Sequence, residues 1–213
     1  MGPEIIREKF GHLDVDEQAK AKGSIQWGED VCVLKERSRN ACLKEVRIRG
    51  LERRHAILAV KVDETVDIKK IRSIANSVFS EFEGFEKRPD YAIVAPPCVM
   101  FIELKSKTIN GEEKDVQNKF MGAATLFDYL SAALRYWENT EVLSSFPRVY
   151  VLVTPTSPTE ERRLTDEYLA KKLREHLKAP ERERPKNYVS IDDKTATVVW
   201  ATLKKLVKTT TLP

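Results

Sequence analysis

The sequence predicts an α/β protein: a mixed central β-sheet flanked by helices. Three observations predict it. From residue 67 onward, segments of helical and strand periodicity follow in the order helix, strand, strand, helix, strand, helix. Residues 148–155, RVYVLVTP, are an uninterrupted apolar run, the pattern of a strand buried on both faces. Residues 89–105, PDYAIVAPPCVMFIELK, set two short apolar strands either side of a Pro-Pro pair.

Composition supports a packed core and narrows the class. Of 213 residues, 41% are hydrophobic, and the 8 glycines and 10 prolines are too few for a fibrous or disordered chain. No apolar run approaches the roughly 18–20 residues that cross a bilayer, and the N-terminus lacks a signal peptide's apolar stretch. No membrane association is expected. Cys32, Cys42 and Cys98 are odd in number and widely spaced, with no zinc-like pair, which fits a reducing cytoplasm. His12, His55 and His176 are scattered, and no Ser-His or Cys-His pair emerges. The net charge of +4 permits a polyanionic partner without demanding one. No Gly-rich phosphate loop is present, so no nucleotide cofactor is expected.

The elements can be taken in order. Residues 1–63 read as an N-terminal extension packed on the core. Asp14 and Asp16 precede EQAKAK as the capped start of a helix; the DVDE there lacks the spaced glycine and later glutamate of a cation loop. Residues 45–63 read as a β-hairpin turning at 50–53. The core is residues 64–178. Ile68, Ile71, Ile74, Ala75, Val78, Phe79 and Phe82 recur at helical spacing. VFSEFEGF, residues 78–85, either ends that helix or forms a strand, and Gly84 closes it in both cases. Strands at 91–95 and 99–105 follow. A long helix over 115–138 has Phe120, Ala123, Ala124, Phe127, Leu130, Ala133, Leu134 and Trp137 on its apolar face. After the strand at 148–155, a helix over 159–177 is capped by Ser157 or Thr159. Residues 179–213 are a charged linker, APERERPK, and an appendage. The appendage is either a hairpin turning at 192–194 or a strand followed by a short helix.

Charge in the strand pair is the functional signal. On a strand, alternate side chains share a face. Val99, Phe101, Glu103 and Lys105 therefore face one way; Met100, Ile102 and Leu104 face the other. A hairpin through Pro96-Pro97 brings Asp90 level with Glu103 and Lys105. Two carboxylates beside an ammonium suit a hard divalent cation such as Mg²⁺ or Mn²⁺. The ammonium can position a water or stabilise charge on a phosphate. The plainer alternative is a salt bridge at a strand end.

Pro89-Asp90, twelve residues, then Glu103-Leu104-Lys105 resembles the PD-(D/E)xK nuclease superfamily. Other acid-x-lysine triplets occur at Asp67, Glu112 and Asp192, but only Glu103-Leu104-Lys105 ends an apolar strand behind a Pro-Asp at hairpin spacing. The resemblance implies a restriction-endonuclease-like αβββαβ core and a Mg²⁺-dependent endonuclease, with Mn²⁺ able to substitute and DNA favoured over RNA. It implies that Asp90, Glu103 and the Leu104 backbone carbonyl hold the metal, and that Lys105 contacts the attacking water and the scissile phosphate. It implies a supporting polar residue on the following helix, matched by Gln117. It also implies a glutamate on the first helix, for which Glu64, Glu81 and Glu83 are candidates and Glu64 has the workable spacing.

Arg47 and Arg49 share one face of EVRIRG and, with Lys107, are candidates to contact a nucleic-acid backbone. A solvated sheet face is the alternative for the arginines. Cutting both strands of a duplex calls for two sites, so a homodimer or a partner nuclease subunit is expected. Residues 188–203, with Val189, Ile191, Val198, Val199 and Trp200, are the candidate pairing surface, with burial in the chain's own core as the alternative. The main functional alternative is a catalytically inactive nucleic-acid-binding or scaffold subunit of the same fold. A further one is an α/β interaction module.

Overall fold

A computed structural model of the chain describes residues 4–18, 23–36, 43–62, 87–96, 98–105, 113–154, 188–192 and 196–199. These residues build a mixed α/β arrangement of two sheets. The first holds β1 (Ile25–Trp27), β2 (Val31–Lys35), β3 (Glu45–Arg49) and β9 (Ala196–Val199), in that spatial order. The second runs β4 (Leu58–Lys61), β5 (Tyr91–Ala95), β6 (Cys98–Leu104), β7 (Arg148–Thr154), β8 (Tyr188–Asp192). In the second sheet, β4, β5 and β6 form an antiparallel meander, and β7 and then β8 add in parallel. The parallel step from β6 to β7 is carried by helix α2 (Glu113–Glu138). A short helix α1 (Glu4–Phe10) precedes the strands.

Strand parity explains the layers. On β6 every residue is buried, because both faces are covered. Met100, Ile102 and Leu104, with Ile93 of β5 and Val149, Val151 and Val153 of β7, meet the inner face of the first sheet, contributed by Cys32, Leu34, Val46 and Ile48. The opposite parity, Val99 and Phe101 with Tyr150 and Leu152, meets Ile5 and Ile6 of α1 and Val116, Phe120, Ala123 and Phe127 of α2. Among the described residues, the central sheet thus has helices on one face and a second sheet on the other. The second sheet is not among the expected elements; the expected flanking helices over 68–82 and 159–177 lie outside the described residues.

The expected hairpin over 45–63 does not form: β3 and β4 enter different sheets. The segment between them is a corner rather than a tight turn. Gly50 adopts φ 78, Leu51 is buried, and a 3-10 turn at Arg53–His55 follows. Asp14 fixes that corner instead of starting a helix. Its carboxylate accepts from the Ala59 N–H at 3.1 Å and from Arg53 Nη2 at 3.2 Å. β4 occupies the position next to β5; residues 78–85, expected as a helix end or a strand, lie outside the described residues. Nor do β8 and β9 pair with each other as a hairpin. The first joins β7 in the second sheet, the second joins β3 in the first. Residues 188–192 and 196–199 therefore belong to the two sheets rather than to an appendage. Trp200 lies outside the described residues, as does the helix expected over 159–177.

The strand pair at the heart of the sequence reading does form. Ala95 pairs with Cys98, so Pro96 and Pro97 make a two-residue link, and the register runs to Tyr91 opposite Ile102. Along α2 the expected apolar face is buried at Phe120, Ala123, Phe127 and Leu134, but Trp137 is 81% exposed. At about 100° per residue, Trp137 sits some 60° off the line through Leu134 and leaves the seam. Edge and tilted ring contacts join Phe101 to Phe127 (5.8 Å), Phe101 to Tyr150 (5.6 Å) and Phe120 to Tyr150 (5.2 Å), fixing α2 to β6 and β7. Cys32 and Cys98 are buried cysteines, and burial pushes the Cys32 thiol up.

Candidate active site

Glu103 stands on β6 two residues beyond Phe101, on the face that α2 covers. It is 1% exposed. One step past the Tyr91–Ile102 pair, the hairpin register sets Asp90 across from it. Asp90 is buried too, and its Oδ2 accepts the Leu104 N–H at 2.7 Å, which orients the carboxylate against β6. Its own carbonyl accepts the Val62 N–H at 2.9 Å, so the backbone here is held from both sides.

Three lysines complete the cluster. Lys119 of α2 donates to Glu103 Oε1 at 2.6 Å. Lys105 Nζ lies 3.5 Å from the same oxygen and donates to Asp115 Oδ2 at 3.1 Å. Lys87, just before Asp90, donates to Asp115 Oδ1 at 2.7 Å. Ammonium and carboxylate thus alternate along Lys87, Asp115, Lys105, Glu103 and Lys119, with Asp90 beyond Glu103. Glu103 Oε2 is buried with no hydrogen-bond partner among the described residues. Leaving such an atom unpaired costs free energy unless another group meets it.

Burial, and then the Asp90 charge, push the Glu103 carboxyl up to about 7, against the pull of Lys119 and Lys105. Asp115 behaves oppositely. Partial burial disfavours its charge, but hydrogen bonds from Lys87 and Lys105 outweigh that and hold its carboxyl below the usual range.

The placement of α2 is fixed by a close approach at Gly122. A Cβ there would lie 2.0 Å from the Lys87 carbonyl oxygen and 2.5 Å from Arg88 Nη1. Only glycine lets the helix sit this near the segment that leads into Asp90. Lys119 and Asp115, one and two turns upstream, are delivered to the site by that contact.

The structure brings Asp90, Glu103, Lys105 and the Leu104 backbone together. Gln117 is elsewhere: its amide donates to Met121 Sδ at 3.7 Å, along the outer side of α2. Glu64, Glu81, Glu83 and Lys107 lie outside the described residues. Arg47 and Arg49 lie on the outer face of the first sheet, where Arg47 pairs with Glu45 at 2.6 Å. Two sheet layers separate them from Glu103. Sequence reasoning missed Asp115, Lys119 and Lys87. The signal available was the four-residue spacing of Asp115 and Lys119, which puts both on one helix face beside the Val116–Phe120 seam.

No family model, curated protein or solved structure matches the chain. Among the described residues no helix is long and apolar enough to cross a membrane, and no group of three or more His, Cys, Asp or Glu side chains is arranged to hold a metal ion by itself.

Proposed function

We propose that the chain is a divalent-cation-dependent endonuclease of the PD-(D/E)xK type, acting on DNA in preference to RNA. The observation that carries this reading is the pair of buried carboxylates, Asp90 and Glu103, facing each other at the open end of a hairpin with one oxygen unpartnered. Two like charges withdrawn from water make poor structural cement. They make a good seat for Mg²⁺ or Mn²⁺, both hard cations that take oxygen ligands. The succession of β5, β6, α2 and β7 follows the order strand, strand, helix, strand within the core that the resemblance implies.

In this reading Asp90, Glu103 and the Leu104 carbonyl would hold the cation, with Glu64 as a further candidate. When bound, the cation supplies Lewis acidity, offsetting charge on the phosphate and making water a better nucleophile. Lys105 donates to the attacking water or the phosphate oxygen. Asp115 holds the Lys105 ammonium in place. The packed sheet behind Glu103 excludes bulk water and strengthens each of these interactions.

The test is cleavage of duplex, single-stranded and branched DNA, and of RNA, with Mg²⁺, Mn²⁺ or EDTA. Divalent-dependent scission of at least one substrate is the expected result. Absence of scission with every substrate would sink the reading. The alternative, an inactive nucleic-acid-binding or scaffold subunit of the same fold, has one observation in its favour: the three ammoniums already compensate the three carboxylates. It predicts DNA binding without cleavage.

Two further expectations belong here. Arg47→Gln with Arg49→Gln should lower the slope of log affinity against log salt by nearly 2, at about 0.9 per phosphate contact, without altering the cleavage rate of bound substrate. An unchanged slope would mark that face as merely solvated. The active species is proposed to be a homodimer or a pairing with a second nuclease subunit. Light scattering at micromolar concentration checks the first, and a strict monomer making double-strand breaks to first order in enzyme would remove both.

A further inference from the structure

We propose that Lys119 is a resident counter-cation of Glu103, which an incoming divalent cation must displace from Oε1. The inference rests on the reading of Asp90 and Glu103 as cation ligands. The geometry separates the two lysines that meet Glu103. Lys105 stands 3.5 Å from Oε1 and is anchored by Asp115, which Lys87 anchors in turn. Lys119 stands 2.6 Å from Oε1, and Glu103 is its sole acidic partner among the described residues. So the closer ammonium is the one with no second ion pair among the described residues; Asp115, one turn away, acts on it only through space.

Its side chain is also 23% exposed, against 1% for Glu103. Lys119 can therefore swing into solvent on its flexible stem, whereas Glu103 is confined to the sheet. A divalent ion at the same oxygen doubles the Coulomb attraction of an ammonium at equal distance, and it draws on Asp90 as well. Exchange is favourable for that reason. In the cation-free state Lys119 keeps the buried carboxylate compensated, and it weakens cation affinity by the free energy of its own contact. Once released, the ammonium becomes available to an anion. Cation and phosphate backbone are then linked: each assists the other's binding by the same factor.

The experiment is calorimetric titration of the intact protein with Mn²⁺ in the absence of nucleic acid. Lys119→Met should bind Mn²⁺ roughly tenfold more tightly than the wild type, the effect of about 1.4 kcal/mol of lost competition. Lys87→Met removes an equal charge from Asp115 without touching Glu103. It should change the affinity by less than about threefold, the scale of a screened surface interaction. Glu103→Gln should abolish binding. Equal gains in the Lys119 and Lys87 variants would show a general field effect and overturn the displacement. An unchanged or weaker Lys119→Met affinity would also overturn it, while leaving the carboxylates as cation ligands. Failure of the wild type and Lys119→Met alike to bind millimolar Mn²⁺ would remove the cation site and the displacement together. Lys119→Gln serves as the second variant should the methionine melt below the assay temperature.

Discussion

Glu103→Gln is expected to lower divalent-dependent cleavage by about a thousandfold or more and, in EDTA at pH 8, to raise the melting midpoint. The first effect follows from removing half of a two-carboxylate cation seat; the loss of a single well-placed electrostatic group costs about 10²–10³. The second follows from the sign of the Glu103 shift. Its carboxyl rises from 4.5 to about 7 on folding, chiefly through burial and the Asp90 charge. Below pH 4.5 it is protonated in both states and contributes nothing. Between pH 4.5 and 7 the folded protein holds the extra proton, so stability falls as pH rises. Above pH 7 the full penalty, of the order of 3 kcal/mol, is present. A neutral amide of the same shape escapes it. The gain should therefore be several degrees at pH 8 and vanish near pH 4.5. Asp90→Asn and Lys105→Ala should likewise abolish cleavage. A fall in midpoint at pH 8 for Glu103→Gln, with cleavage retained, would identify the cluster as a structural ion network.

Gly122→Ala is expected to destabilise the fold by roughly 2 kcal/mol and to depress cleavage with it. In an ordinary helix the change would help by just under 1 kcal/mol. Here the new methyl meets the Lys87 carbonyl oxygen at 2.0 Å, and a backbone atom cannot swing away. Either α2 or the 87–90 segment must move, and overpacking of this kind costs about 1–3 kcal/mol or more. Either move separates Asp115 from Lys87, and a shift of α2 also separates Lys119 from Glu103. Urea denaturation reads the stability and a plasmid assay reads the activity. Equal or greater stability in the alanine variant would show that the helix is not seated as described.

Some of this was legible in the sequence, and the limits have physical causes. The hairpin, the long helix and β7 were readable because each carries its own periodicity within a few residues of its ends. Asp90, Glu103 and Lys105 were readable for the same reason: strand parity and a Pro-Pro link bring them together locally. Sheet membership was not readable. Residues 45–49 and 58–61 look like partners because they are neighbours in the chain. What separates them is the buried corner around Leu51 and the long-range bond from Asp14 to Ala59. Asp115 and Lys119 were hidden because a charged first turn of a helix usually faces water. Only the seating at Gly122 turns that turn inward. Gln117, two residues away, was the match by analogy, and its azimuth on α2 points it outward.

The parallel pairing of β3 with β9 also bears on how the chain is made. Val46 meets Ala196, a partner 150 residues later, at 196 minus 46. During synthesis at about 5–20 residues per second, β3 therefore waits roughly 8–30 s for its last neighbour to emerge from the ribosome. Through that interval one margin of the nascent first sheet is bare, the condition in which strands recruit other chains. Arg47 and Arg49 alternate along this same strand and face outward. Like-charged guanidiniums repel a second copy of the segment and keep the margin open for β9. The alternation EVRIR is thus expected to slow self-association of chains truncated before residue 196, whether or not the finished protein touches nucleic acid with that face.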